Sequence, residues 1–140
     1  MRSQIERRTM VINVLLALLG FEIKHFLADY MLQAGWMVTQ KGDFRRAGGY
    51  AHAGLHVLFS AIVMVFVVPV NLSLAAVLLA EFVVHYAIDY AKVHGSKDVK
   101  IGEKPQLFWA LHGFDQLLHQ LTYLAMATYV AFATAPAVGA

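Results

Sequence analysis

Four stretches of this chain, near residues 9–32, 51–70, 72–93 and 107–134, are dominated by apolar side chains, and each gathers its ionisable residues at one end. Each is long enough to cross ~30 Å of hydrocarbon, which takes ~20 residues at ~1.5 Å apiece. In the first, the run from Thr9 to Phe21 is polar only at Thr9 and Asn13, then gives way to Glu22, Lys24, His25 and Asp29. In the third, Leu72 to Ala80 gives way to Glu81, His85 and Asp89. The second opens with His52 and His56, and the fourth carries His112, Asp115 and His119 in its early turns. Consecutive spans run in opposite directions, so all four polar portions fall on the same side of a bilayer. The pattern predicts an all-α integral membrane four-helix bundle, with a polar layer in one leaflet and an apolar half in the other.

Composition points the same way. Hydrophobic residues make up 59% of the 140 and charged residues 14%, against about 45–50% and about 25% in soluble domains. A chain this short forms one domain, here residues 1–140, and cannot hide such an excess in its core. A net charge of +2 gives no footprint for nucleic acid, and the absence of cysteine excludes disulfides and thiolate metal sites. The N-terminal segment has a basic start and an apolar run but no small-x-small cleavage pattern, so it reads as a retained first helix.

Segments 33–50 and 94–106 are polar and Gly-containing and read as loops, whereas Pro69 to Ser73 leaves room only for a tight turn. The two loops, with Lys92 at their edge, hold Lys41, Arg45, Arg46, Lys92, Lys97, Lys100 and Lys104; the opposite side holds Arg2, Arg7 and Arg8. The positive-inside rule places both loops in the cytoplasm. His25-Phe-Leu-Ala-Asp29-Tyr30 and His85-Tyr-Ala-Ile-Asp89-Tyr90 share HxxxDY, the trace expected of a duplicated helical hairpin.

Residues four apart share a helix face. Every predicted span has such a pair: His25/Asp29, His52/His56, His85/Asp89 and Asp115/His119. Imidazole and carboxylate are the ligands of Zn²⁺, Fe²⁺ and Mn²⁺, so these eight residues are candidate ligands of a divalent metal. Glu22 and Glu81, one turn deeper, are candidate general bases. Any one of these groups is equally well explained by a hydrogen bond to a neighbouring helix. The set is not, because a central charge in lipid costs ~2.5–3.5 kcal/mol on insertion scales. Lys24 either snorkels or pairs with a carboxylate inside the bundle.

The chain resembles a bacterial and phage family of small membrane proteins, the domain-of-unknown-function family 3307. The resemblance rests on His25-x-x-x-Asp29-x-x-x-Gln33-x-x-Trp36-Met37-x-x-x-Lys41, His52-x-x-x-His56, His85-x-x-x-Asp89-x-x-Lys92 and Asp115-Gln116-x-x-His119. It implies a multi-pass protein of a bacterial cytoplasmic membrane and carries no activity. A looser likeness links the chain to membrane-bound metal-dependent hydrolases.

The functional expectation is a membrane-embedded metal-dependent hydrolase. Lys41, Arg45, Arg46 and Lys92 would favour an anionic lipid or phosphoester substrate. The alternatives are an ion conduit, a haem protein with His56 and His119 as axial ligands, and a structural subunit of a membrane complex or homo-oligomer.

Overall fold

The computed structural model describes residues 2–136; Met1 and residues 137–140, the ends of the expected 1–140 domain, lie outside the described part. Among the described residues the fold is all-helical, with five α-helices and one π turn. α1 (Arg2–Phe26) runs on through the π turn (Leu27–Met31). A short α2 (Gly35–Gln40) follows, then α3 (Ala47–Met64), α4 (Leu72–Ser96) and α5 (Pro105–Ala133).

The four long helices correspond to the four expected spans, with shifted ends. α1 starts seven residues before position 9, and α3 covers 47–64 rather than 51–70 because residues 65–70 turn toward α4. α4 begins where Asn71 caps it, the side-chain Oδ1 accepting from Leu74 N–H at 3.0 Å. α5 opens on Pro105, whose missing N–H costs nothing in a first turn. α2 departs from the expected loop over 33–50. Six residues are too few to show a periodic apolar face.

The long helices form a four-cornered bundle. α1 packs on α3 and α5, as does α4, so α1 and α4 stand diagonally opposite. The HxxxDY blocks therefore occupy opposite corners. The interior is divided as expected. Ala17, Phe21, Met64, Val67, Val68, Leu74, Met126 and Val130, with Tyr123 at its edge, fill an apolar half. Lys24, His25, His52, His56, Glu81, His85, Asp89, Asp115 and His119 are buried in the other half. The outward faces are apolar, with Ile12, Leu15, Leu19, Leu58, Ile62, Val83, Leu121 and Leu124 all at least 48% exposed.

α1 with its π turn, α3 and α4 are long and apolar enough to cross a membrane. α5 is long enough but carries His112, Asp115, Gln116, His119 and Gln120 in its first half, which lowers its apolarity below that of the other three.

Candidate metal centre

On α1 the inward stripe consists of Ala17, Phe21, Lys24, His25 and Ala28. Glu22, about 100° around the helix from Phe21, falls outside it. The sequence reading turned Glu22 inward with His25, but its side chain is exposed and accepts a hydrogen bond from Gln120 Nε2 at 3.1 Å. Asp29 would drift off the same edge in a regular helix. The π turn prevents this: Leu32 N–H donates to Leu27 O, five residues back, at 2.9 Å. A turn closed this way advances less per residue, which swings Asp29 back toward α3.

α2 delivers Lys41. It lies so close to the start of α3 that a Cβ on Gly48 would stand 2.6 Å from Gln40 Cβ and 2.8 Å from Trp36 O; one on Gly49 would meet the Tyr86 ring at 2.8 Å. Gly48 N–H also donates to Gln40 Oε1 at 3.0 Å. With α2 held there, Lys41 Nζ reaches Asp89 Oδ2 at 2.8 Å.

All eight candidate ligands fall in one connected cluster. Asp29 Oδ1 lies 3.1 Å from both His52 Nε2 and His56 Nε2, and Asp29 Oδ2 lies 3.2 Å from His25 Nε2. Asp89 Oδ2 is 3.4 Å from His52 Nε2 and 3.5 Å from His85 Nε2. His119 Nε2 is 3.7 Å from Asp89 Oδ1 and 3.6 Å from Asp115 Oδ1. The imidazole rings crowd together, with centroids 3.9 Å apart for His56 and His85, 4.3 Å for His85 and His119, and 4.7 Å for His52 and His56.

Two subsets are tight enough to hold a metal. The ligand atoms of Asp29, His52, His56 and His85 lie within 4.8 Å of one another, as do those of His85, Asp89 and His119. His85 belongs to both. Adjacent ligands on a tetrahedron with ~2.0–2.1 Å bonds lie about 3.3 Å apart, close to the separations around Asp29 and Asp89. The remaining two candidates are otherwise engaged. His25 meets the Tyr123 hydroxyl through Nδ1 and the Gln116 amide oxygen through Nε2, both at 2.9 Å, so it orients Asp29 from behind. Asp115 Oδ2 accepts from Lys92 Nζ at 2.6 Å and from Gln116 Nε2 at 3.1 Å.

The cluster also holds polar atoms with no hydrogen-bond partner. His52 Nδ1 is buried with no hydrogen bond, and His52 Nε2, His85 Nε2 and Asp115 Oδ1 have ionic neighbours at 3.1, 3.5 and 3.6 Å without a well-aligned hydrogen bond. A neutral imidazole has one N–H and one lone pair, and the ring nitrogens of His52, His56 and His85 converge on the Asp29 and Asp89 carboxylates at 3.1–3.5 Å. Buried unpaired polar atoms are costly, and a cation between them removes that cost. Charge counting agrees. Asp29, Glu81, Asp89 and Asp115 face Lys24, Lys41 and Lys92. With each at its ordinary charge and the imidazoles neutral, the cluster is left with one excess negative charge.

Lys24 takes the buried-pair option: its Nζ lies 2.6 Å from Glu81 Oε1 and 3.3 Å from His56 Nδ1. Ser60 also donates to Glu81 Oε1, at 2.7 Å, and Glu81 Oε2 has no partner. Among the four basic residues expected near substrate, Lys41 and Lys92 turn into the cluster. Arg45 stays exposed, and Arg46 pairs with Asp43 at 3.6 Å on the outer surface. Sequence reasoning missed Ser60 and Tyr123, yet each lies four residues beyond a cluster histidine, His56 and His119. Continuing the i, i+4 stripe by one turn would have found both. His94 opens the segment read as a loop but lies on α4, exposed, with its Nδ1 facing Tyr90 O at 2.9 Å.

No curated protein and no solved structure matches the chain, and nothing in those comparisons supports the looser likeness to membrane-bound metal-dependent hydrolases. One family profile does match, over residues 14–138, and includes every residue of the cluster. The chain belongs to that family, the proteins of unknown function DUF3307.

Proposed function

We propose that this protein is a membrane-embedded metal protein that hydrolyses an anionic or lipid-derived substrate. The observation that carries the reading is the set of imidazole and carboxylate atoms from four helices, buried beside one another, with His52 Nδ1 and Nε2, His85 Nε2 and Asp115 Oδ1 left without a hydrogen bond. Asp29, His52, His56, His85, Asp89 and His119 hold the metal, and His25 and Asp115 orient them. The apolar outer belt supports a bundle embedded in a bilayer, and the polar layer lies at the end that carries the basic loops.

Zn²⁺, Fe²⁺ or Mn²⁺ in such a site supplies a Lewis acid that brings the pKa of a coordinated water toward ~7. The protein's own groups do the rest. Glu81, with Oε1 held by Lys24 and Ser60 and Oε2 free, is the carboxylate placed to take a proton at the rim of the cluster. Lys41 and Lys92 put positive charge where an anionic group would approach. Arg45 and Arg46, on the loop surface, raise the local concentration of anions. The same charge asymmetry favours both basic loops in the cytoplasm, and the family resemblance a bacterial membrane.

The other readings fit less well. A conduit needs polarity through the whole bilayer, and the interior beyond Ser60 and Tyr123 is apolar but for Asn13, which donates to Val67 O, and the Tyr129 hydroxyl. A haem between His56 and His119 would need the space that His85 fills, its ring centroid 3.9 Å from one and 4.3 Å from the other.

Elemental analysis of protein purified in detergent tests the proposal. At least one transition-metal ion per chain is expected, with most of it lost in Asp29→Ala and Asp89→Ala. Chelation should abolish phosphoester hydrolysis, and the returned metal should restore it. Metal-free protein of undiminished stability would reduce the cluster to a device for fixing helix register.

A further inference from the structure

The seam between α4 and α5 is open along the outer face of the bundle. A groove of about 530 Å³ runs beside Val77, Val84, Ile88, Leu118, Leu121 and Met126. A second, of about 190 Å³, shares Ile88 and Leu118 with the first and continues past Lys92, Asp115 and Gly95. The walls of the first are apolar save for Glu81, Thr122 and Tyr129. The volume and apolar lining of the first are those of a ligand pocket.

We propose that this seam binds one anionic phospholipid, with a hydrocarbon chain in the long groove and the headgroup at Lys92. From Val77 to Ile88 the groove follows eleven residues of helix, ~16 Å at ~1.5 Å each. That is about half of a ~30 Å hydrocarbon core, the depth of one leaflet. Beyond Ile88 the lining changes from apolar to ionic. Lys92 Nζ, its side chain one-third exposed, pairs with Asp115 at 2.6 Å and contacts His112 Nδ1 at 3.3 Å. Lys97, Lys100 and Lys104 follow directly after α4, Lys100 paired with Glu103 at 3.0 Å. Four lysines there face three carboxylates, Asp98, Glu103 and Asp115, which leaves an excess of one positive charge. An anionic headgroup suits that end and a zwitterionic one does not.

The inference rests on the hydrolase reading and sharpens it, because Asp115 joins Lys92 to His119 and thereby to the metal ligands. A lipid seated in the seam would present its headgroup beside the cluster without leaving the bilayer. Ala125, in the wall of the long groove, offers a way to fill it without touching the cluster.

Native mass spectrometry of the detergent-solubilised protein, titrated with phosphatidylglycerol or phosphatidylcholine, reads the site. We expect a one-to-one phosphatidylglycerol adduct at least tenfold tighter than the phosphatidylcholine adduct. Ala125→Phe should weaken it at least tenfold with metal content unchanged, and Lys92→Gln should erase the headgroup preference. Photo-crosslinking of the unaltered protein with a diazirine-bearing phosphatidylglycerol gives a reading that does not depend on any variant folding. The label should fall on peptides from 77–95 and 111–129 rather than on the outer face of α1. Equal binding to Ala125→Phe, no retained lipid, or label spread over all helices would overturn the lipid site. Metal content, measured in parallel, reports separately on the hydrolase reading.

Discussion

Lys24 sits 2.6 Å from Glu81 with both side chains almost wholly enclosed. Replacing one member of a buried pair strands the other, at a cost of about 3–5 kcal/mol, whereas replacing both with apolar groups is close to neutral. Lys24→Met should therefore lower the thermal stability of the detergent-solubilised protein sharply, and Lys24→Met with Glu81→Leu should recover most of it. Equal melting temperatures for the single variant and the parent would mean that the pair contributes nothing. The i, i+4 rule, applied to one sequence, was enough to bring His25, Asp29, His52, His56, His85, Asp89, Asp115 and His119 together. It did not tell ligand from support. That distinction depends on what stands behind each ring, and Tyr123 and Gln116 reach His25 from ninety or more residues away. Glu22 was misplaced because an i, i+3 neighbour can lie on either side of a stripe, and only the position of the partner helices decides which.

Among the elements, α2 is the one that local sequence could not disclose. It is held by contact, with Gly48 and Gly49 letting it rest on α3. Gly48→Ala forces a methyl group against the Trp36 carbonyl, backbone that cannot yield as a flexible side chain does. Overpacking of this kind costs about 1–3 kcal/mol. The expected result is a lower melting temperature together with faster chemical modification of Lys41, as α2 lifts and the Lys41–Asp89 pair opens. Unchanged Lys41 reactivity would show that α2 is positioned some other way. The π turn was equally hidden. Nothing in Leu27–Met31 marks it, yet without it Asp29 would lie off the inward stripe.

For the molecule as a whole, the sorting of polar residues by depth was legible from order alone, because alternate helices reverse direction. Helix ends were less so, as the starts of α1 and α3 show, and the histidines and carboxylates that α5 brings to the cluster also weaken its membrane signal. Topology is open to direct measurement, since the chain has no cysteine. Lys100→Cys should react with an impermeant thiol reagent only from the cytoplasmic face, and Thr134→Cys only from the other. Reaction of both from one face would rule out the single crossing by α5. The Lys24–Glu81 contact, finally, constrains how the protein is made. Its partners are 57 residues apart, so at about 5–20 residues per second the ribosome supplies Glu81 some 3–11 s after Lys24. For a bundle inserted in a bilayer, as proposed, α1 would lack the Glu81 carboxylate during that interval, and the nascent helices would wait beside the insertion machinery until α4 emerges to supply it.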